Sequence, residues 1–118
     1  MAEKNYFING ITELLILSIL DKCDSYVYEI TKQIEEYSNN CLSISQNTIY
    51  AATYKLKNEN KISEYSQLVG KRRTRIYYHT EDDGRNYLFD LMQQFSQTIM
   101  GVENILSVLK QKEDESNE

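Results

Sequence analysis

Gln46, Asn47, Tyr50, Thr53, Tyr54 and Lys57 fall on one side of the stretch Ser43 to Lys57 when it is wound at about 3.6 residues per turn, and Ile49, Ala52 and Leu56 fall on the other. The first side carries amides, hydroxyls, phenols and a cation, with little apolar area beyond two tyrosine rings. Such a face suits the major groove of DNA, where an amide can pair with adenine, a lysine with phosphate or guanine, and a threonine with a methyl group. A second charged group follows in VGKRRT, where Gly70 precedes Lys71, Arg72 and Arg73, with Arg75 just beyond. Three consecutive cations at a hairpin tip can lie along a phosphate backbone or enter a narrow minor groove. The same charges can also keep a hairpin edge from aggregating.

Catalytic chemistry finds no comparable set of residues. There is no glycine-rich phosphate loop and no nucleophile placed with a histidine, so the chain is not expected to be an enzyme. Cys23 and Cys41 lack CxxC neighbours, and the single histidine, His79, lies in an expected strand, so neither a metal nor any other cofactor is expected. Two cysteines are too few to staple a domain and read as thiols of a reducing compartment.

The elements that must position these groups follow from periodicity. Ile8, Ile11, Leu15 and Ile19 form one stripe of a helix over Ile8 to Asp21, and Leu14, Ile16, Leu17 and Leu20 widen it almost all round, so cover is needed on more than one side. Val27, Ile30, Ile34 and Tyr37 mark a second helix from about Tyr26 to Tyr37, with Asp24 or Ser25 as its cap and Asn39 and Asn40 at its close. The third is the opening stretch, capped by Ser43 or Ser45. Strands at 62–68 and 75–80 then frame the cationic tip. After Thr80, a candidate cap, Leu88, Met92, Phe95, Ile99, Val102, Leu106 and Leu109 recur by fours and threes over a helix more than about 30 Å long. Gly84 is expected to cost this helix some stability.

The expected fold class is mainly α with a small β-hairpin (α+β): a winged helix-turn-helix domain at 5–80, a C-terminal dimerisation helix at 81–111 and an acidic disordered tail at 112–118. A net charge of −5 does not exclude DNA, because acidic residues farther away than a Debye length of about 8 Å are screened. No apolar run is long enough for a membrane span and no secretory leader is evident, so a cytoplasmic protein is expected.

The runs SYVYEITKQIEE, NTIYAATYKLKNENKIS and GKRRTRIYYHTEDDG, in this order, resemble the PadR family of winged-helix transcriptional regulators, especially its small members with one C-terminal helix. The chain departs from that family at Ala51, where many relatives have proline, and at Glu81, which corresponds to a family threonine. The resemblance implies a homodimeric repressor on double-stranded DNA with a palindromic operator. Ser45, Gln46, Asn47, Tyr50 and Tyr54 would act on the recognition helix, and Lys71, Arg72, Arg73 and Arg75 on the wing. Tyr50 can equally be a half-buried core ring. Drug-responsive relatives stack flat molecules on an aromatic of the last helix, which corresponds to Phe95, flanked by Met92 and Ile99. It implies a candidate planar aromatic small-molecule effector, with Glu13 as a counter-charge if the effector is cationic. The competing readings are a ligand-independent DNA-binding module and a winged helix that contacts another protein.

Overall fold

The computed structural model describes residues 5–116. The elements run α1 (Ile8–Lys22), α2 (Val27–Tyr37), α3 (Gln46–Asn58), β1 (Ile62–Leu68), β2 (Thr74–Thr80) and α4 (Asp82–Ser116). Two compact units result, one ending at Leu88 and the other starting at Phe89. The first two turns of α4 thus belong with the winged helix, past the boundary expected at 80.

Apolar positions at helical spacing build the first unit. Ile16, Leu17 and Leu20 of α1, Val27, Ile30 and Ile34 of α2, and Ile49 and Leu56 of α3 are buried together with Ile44, Ile62, Tyr78 and Leu88. Burying each such aliphatic side chain stabilises the fold by about 1.5–3 kcal/mol. On the broad face of α1, Ile11, Leu14, Leu15 and Ile19 remain partly exposed.

Helix ends depart in part from expectation. Tyr26 takes the N-cap position of α2 without a side-chain cap, because Ser25 donates to the Cys23 carbonyl instead and Asp24 accepts from the hairpin. At the other end Asn39 and Asn40 adopt φ of 53° and 64°, a left-handed conformation that asparagine tolerates. Tyr37, expected on the apolar stripe, is exposed. Ser45 caps α3 by accepting from the Thr48 N–H at 3.2 Å.

The two strands pair antiparallel from Ile62 opposite Thr80 to Leu68 opposite Thr74. Gly70 supplies the turn with φ of 81°, and the Val69 N–H closes the loop onto the Arg73 carbonyl at 2.7 Å.

Thr80 and Gly84 contradict the sequence reading. The Thr80 hydroxyl is buried with no partner among the described residues, so it caps nothing. Gly84 is required rather than merely tolerated, since a Cβ there would lie 2.1 Å from the Lys61 carbonyl oxygen. That close approach is how α4 leaves the end of β2. The helix also runs through Ser116, across most of the stretch expected to be a disordered tail. Gln111, Lys112, Glu113 and Glu115 are good helix formers, which suits that continuation. Asn117 and Glu118, the end of that expected tail, lie outside the described residues.

Candidate nucleic-acid interface

The exposed side of α3 runs along its length. Ser45, Gln46 and Asn47 are at the surface, the Ser45 hydroxyl being engaged by the Thr48 N–H. Tyr50 is 53% exposed and Tyr54 also faces solvent, so Tyr50 is a surface ring rather than a core one. Thr53, expected on the same face, is fully buried, and its hydroxyl donates back to the Tyr50 carbonyl at 3.0 Å. On the helical wheel position 53 lies about 40° from Ile49, on the side away from Leu56, which places it at the core edge.

A cleft of about 480 Å³ joins this helix to the hairpin. Gln46 and Tyr50 line it from α3, Arg73, Thr74, Arg75, Ile76 and Tyr78 from the wing, and Tyr26, Val27 and Tyr28 from the start of α2. No carboxylate lies among these residues. The Arg75 guanidinium sits 4.4 Å from the centre of the Tyr26 ring, a cation–π contact between two residues of the cleft wall. Tyr50 also lines a second hollow with Tyr54, Lys57 and Glu64.

The basic stretch between Lys55 and Arg75 divides into two classes. Lys55 is paired with Glu13 at 3.4 Å, Lys57 with Glu64 at 2.9 Å and Lys61 with Glu59 at 3.0 Å. Through its hydrogen bond to Glu64, Lys57 holds its proton above the ordinary lysine range. Lys71, Arg72, Arg73 and Arg75 have no carboxylate partner among the described residues, and the first three stand exposed at the hairpin tip. Within this stretch, the cations available to an outside anion are therefore those of the wing.

Behind the wing lies a cluster absent from the expected site. Asp24 accepts from the Tyr65 hydroxyl at 2.8 Å and lies 2.8 Å from His79 Nδ1. Burial pulls the Asp24 carboxyl up, but the hydrogen bonds from His79 and Tyr65 outweigh it and leave the group below its ordinary range. Tyr65 stacks on Tyr77 with ring centres 5.6 Å apart, and Tyr26 meets Tyr77 edge-on at 5.4 Å. These partners are 41 and 55 residues apart in the chain, so no local spacing could have announced them.

Glu13 is already engaged rather than open to solvent. Its Oε1 accepts from the Tyr87 hydroxyl at 2.8 Å as well as from Lys55, and its Oε2 is buried without a partner among the described residues. Burial pushes the Tyr87 phenol up to about 12, with the Glu13 hydrogen bond adding to the effect. In the second unit, Met92, Phe95, Ile99, Val102, Leu106 and Leu109 are all exposed along α4, Phe95 at 43%. Leu88, expected to begin that seam, is instead buried in the first unit.

The profile of the transcriptional regulator PadR-like family matches residues 16–90. Among solved structures, the chain is similar to a transcriptional regulator from Clostridium thermocellum, at 27% identity and a TM-score of 0.78 over 87% of this chain and 97% of that one. It is similar to a PadR family transcription regulator from Clostridium difficile R20291, at 31% identity and a TM-score of 0.66 over 80% of this chain and 96% of that one. A third structure, Bacillus subtilis PadR in complex with operator DNA, is 26% identical with a TM-score of 0.65, covering 70% of this chain and 47% of that one. No described helix is long and apolar enough to cross a membrane.

Proposed function

The chain belongs to the transcriptional regulator PadR-like family, and from that premise we propose that it is a sequence-specific DNA-binding repressor that acts as a homodimer. The observation that carries this reading is the shared cleft. It brings Gln46 and Tyr50 of α3 beside Arg73 and Arg75 of the wing, with no carboxylate in its lining. Gln46 and Asn47 read base edges, and Lys71, Arg72 and Arg73 engage phosphates. The likeness in fold to Bacillus subtilis PadR, which was solved in complex with operator DNA, supports DNA as the partner.

The dimer follows from the exposed stripe Met92, Phe95, Ile99, Val102, Leu106 and Leu109, whose spacing suits a partner helix. Two copies joined there present two recognition helices to a palindromic operator. Phe95, with Met92 and Ile99 one turn to either side, forms the platform for a planar aromatic effector that relieves repression.

Fluorescence anisotropy of the full chain with a duplex from its own upstream region, at two salt concentrations, tests the DNA reading. Tighter binding to that duplex than to random sequence is expected, and equal affinity overturns sequence specificity. A panel of planar dyes should raise the thermal stability of the wild type but not of Phe95→Ala. Indifference to every dye reduces the protein to a ligand-independent repressor. Sedimentation that returns a monomer at working concentration removes the dimer.

A further inference from the structure

We propose that Asp24 is the positioning residue of the wing: its carboxylate grips both strands of the hairpin and so fixes where the tip cations stand relative to α3. The proposal rests on the DNA-binding reading above. Asp24 belongs to neither helix, standing in the turn between α1 and α2. One of its oxygens, Oδ2, accepts from Tyr65 on β1, and the other, Oδ1, is bonded to His79 on β2, both at 2.8 Å. One side chain therefore ties each strand to the helical body.

The two residues that follow reinforce the grip. The Tyr78 N–H donates to the Ser25 carbonyl at 2.9 Å and the Ser25 N–H to the Tyr78 carbonyl at 3.4 Å, so the turn acts as a short third strand against β2. Tyr26 braces the Tyr77 ring, which in turn stacks on Tyr65. Directly after them, Val27 is buried in the core and anchors the segment. A two-stranded ribbon is marginal by itself in water, so its direction must be set by contacts at its root. Tyr65, His79 and Tyr78 are that root.

Charge alone makes the opposite forecast. An aspartate near a DNA-binding surface repels phosphate, so removing it should tighten binding. If the carboxylate positions the wing, removing it weakens binding instead. The sign separates the two.

The test uses the full chain, a labelled duplex from its own upstream region, and the variants Asp24→Ala and Tyr65→Phe. Tyr65→Phe removes no charge and keeps the ring stack, which guards against a misfolded Asp24 variant. Asp24→Ala should weaken binding about tenfold, the usual net effect of losing a charge-assisted hydrogen bond, and Tyr65→Phe about threefold. Both should lower the salt slope toward that of a variant lacking the wing arginines, because the slope counts phosphates neutralised and a wing out of place neutralises fewer. In a background of Arg72→Ala and Arg73→Ala, Asp24→Ala should cost less than in the wild type, because only Lys71 and Arg75 remain on the wing to be displaced, whereas general destabilisation would weaken binding by the full factor. Without DNA, hydrogen exchange at the Tyr78 amide should quicken in Asp24→Ala. Unchanged or tighter DNA binding by both folded variants overturns the proposal, as does unchanged exchange at Tyr78. If the wild type binds no duplex, the DNA reading falls, and the anchoring of the wing is decided by the Tyr78 exchange alone.

Discussion

Replacing Arg72 and Arg73 together by alanine should flatten the salt dependence of DNA binding by an amount the structure sets. Each cation that neutralises a phosphate contributes about 0.9 to the slope of log affinity against log salt. Neither arginine has a carboxylate partner among the described residues, so each is free to release a counterion on binding. The double variant should therefore lose about 1.8 of slope if one wing is engaged and about 3.6 if two are. Between 50 and 200 mM salt, the affinity range of the variant then shrinks relative to wild type by roughly tenfold for one wing and roughly a hundredfold for two. Lys57→Ala is the control, because its ammonium is already paired with Glu64 at 2.9 Å and should change the slope by well under about 1. Anisotropy titrations at four or more salt concentrations give the slopes directly. A double variant with the wild-type slope, or a Lys57 variant that loses as much as the arginines, refutes the division of the cations. The size of the loss also counts the wings, which makes it a second measure of the dimer.

Three further outcomes follow from contacts inside the first unit. Gly84→Ala should lower stability by about 1–3 kcal/mol despite the better helix propensity of alanine, because the added Cβ meets the Lys61 carbonyl oxygen at 2.1 Å; a thermal melt at or above the wild-type midpoint refutes it. Spectrophotometric titration should find a tyrosine ionising at about 12, and Glu13→Gln should bring it down. Since the folded pKa is raised, the stability tied to Tyr87 is complete below its ordinary value of 10.0 and is lost as pH climbs through about 12. For Asp24 the sign is reversed: its pKa is lowered by folding, so its contribution is present above 3.8 and fades as pH falls below that value, and denaturant melts of Asp24→Asn should show a shallower acid loss than wild type.

The helices were legible because their signals are local. Ile30 with Ile34, and Ile49 with Leu56, repeat at helical spacing, and both pairs are buried as that spacing requires. The hairpin was legible from Gly70 and the alternation of β1. Contacts that depend on the third dimension were not. Winding Ser43 to Lys57 as a helix puts Thr53 on the outer face, but a threonine can satisfy its hydroxyl on its own helix and sit in the core, as the bond to the Tyr50 carbonyl allows. Gly84 looked like a helix defect because nothing in its neighbourhood of sequence mentions Lys61. The stretch from Lys55 to Arg75 holds seven cations against Glu59 and Glu64, and only the fold reveals that Glu13, brought from α1, pairs with Lys55.

That neutralisation separates attraction from reading. Lys55 and Lys57, the cations on α3, are both paired, so the exposed face of α3 presents mainly neutral groups, Gln46 and Asn47 among them. Gln46→Ala should then weaken binding to the chain's own upstream duplex by about 1–3 kcal/mol, the discrimination of one bidentate base contact, and leave binding to random duplex and the salt slope where they were. Arg72→Ala should do the converse, weakening both duplexes alike and lowering the slope. Competition titrations with the two duplexes separate these patterns. A Gln46 variant that weakens both equally would mean that the glutamine contacts backbone, and base reading would pass to Asn47 alone among the amides of that turn.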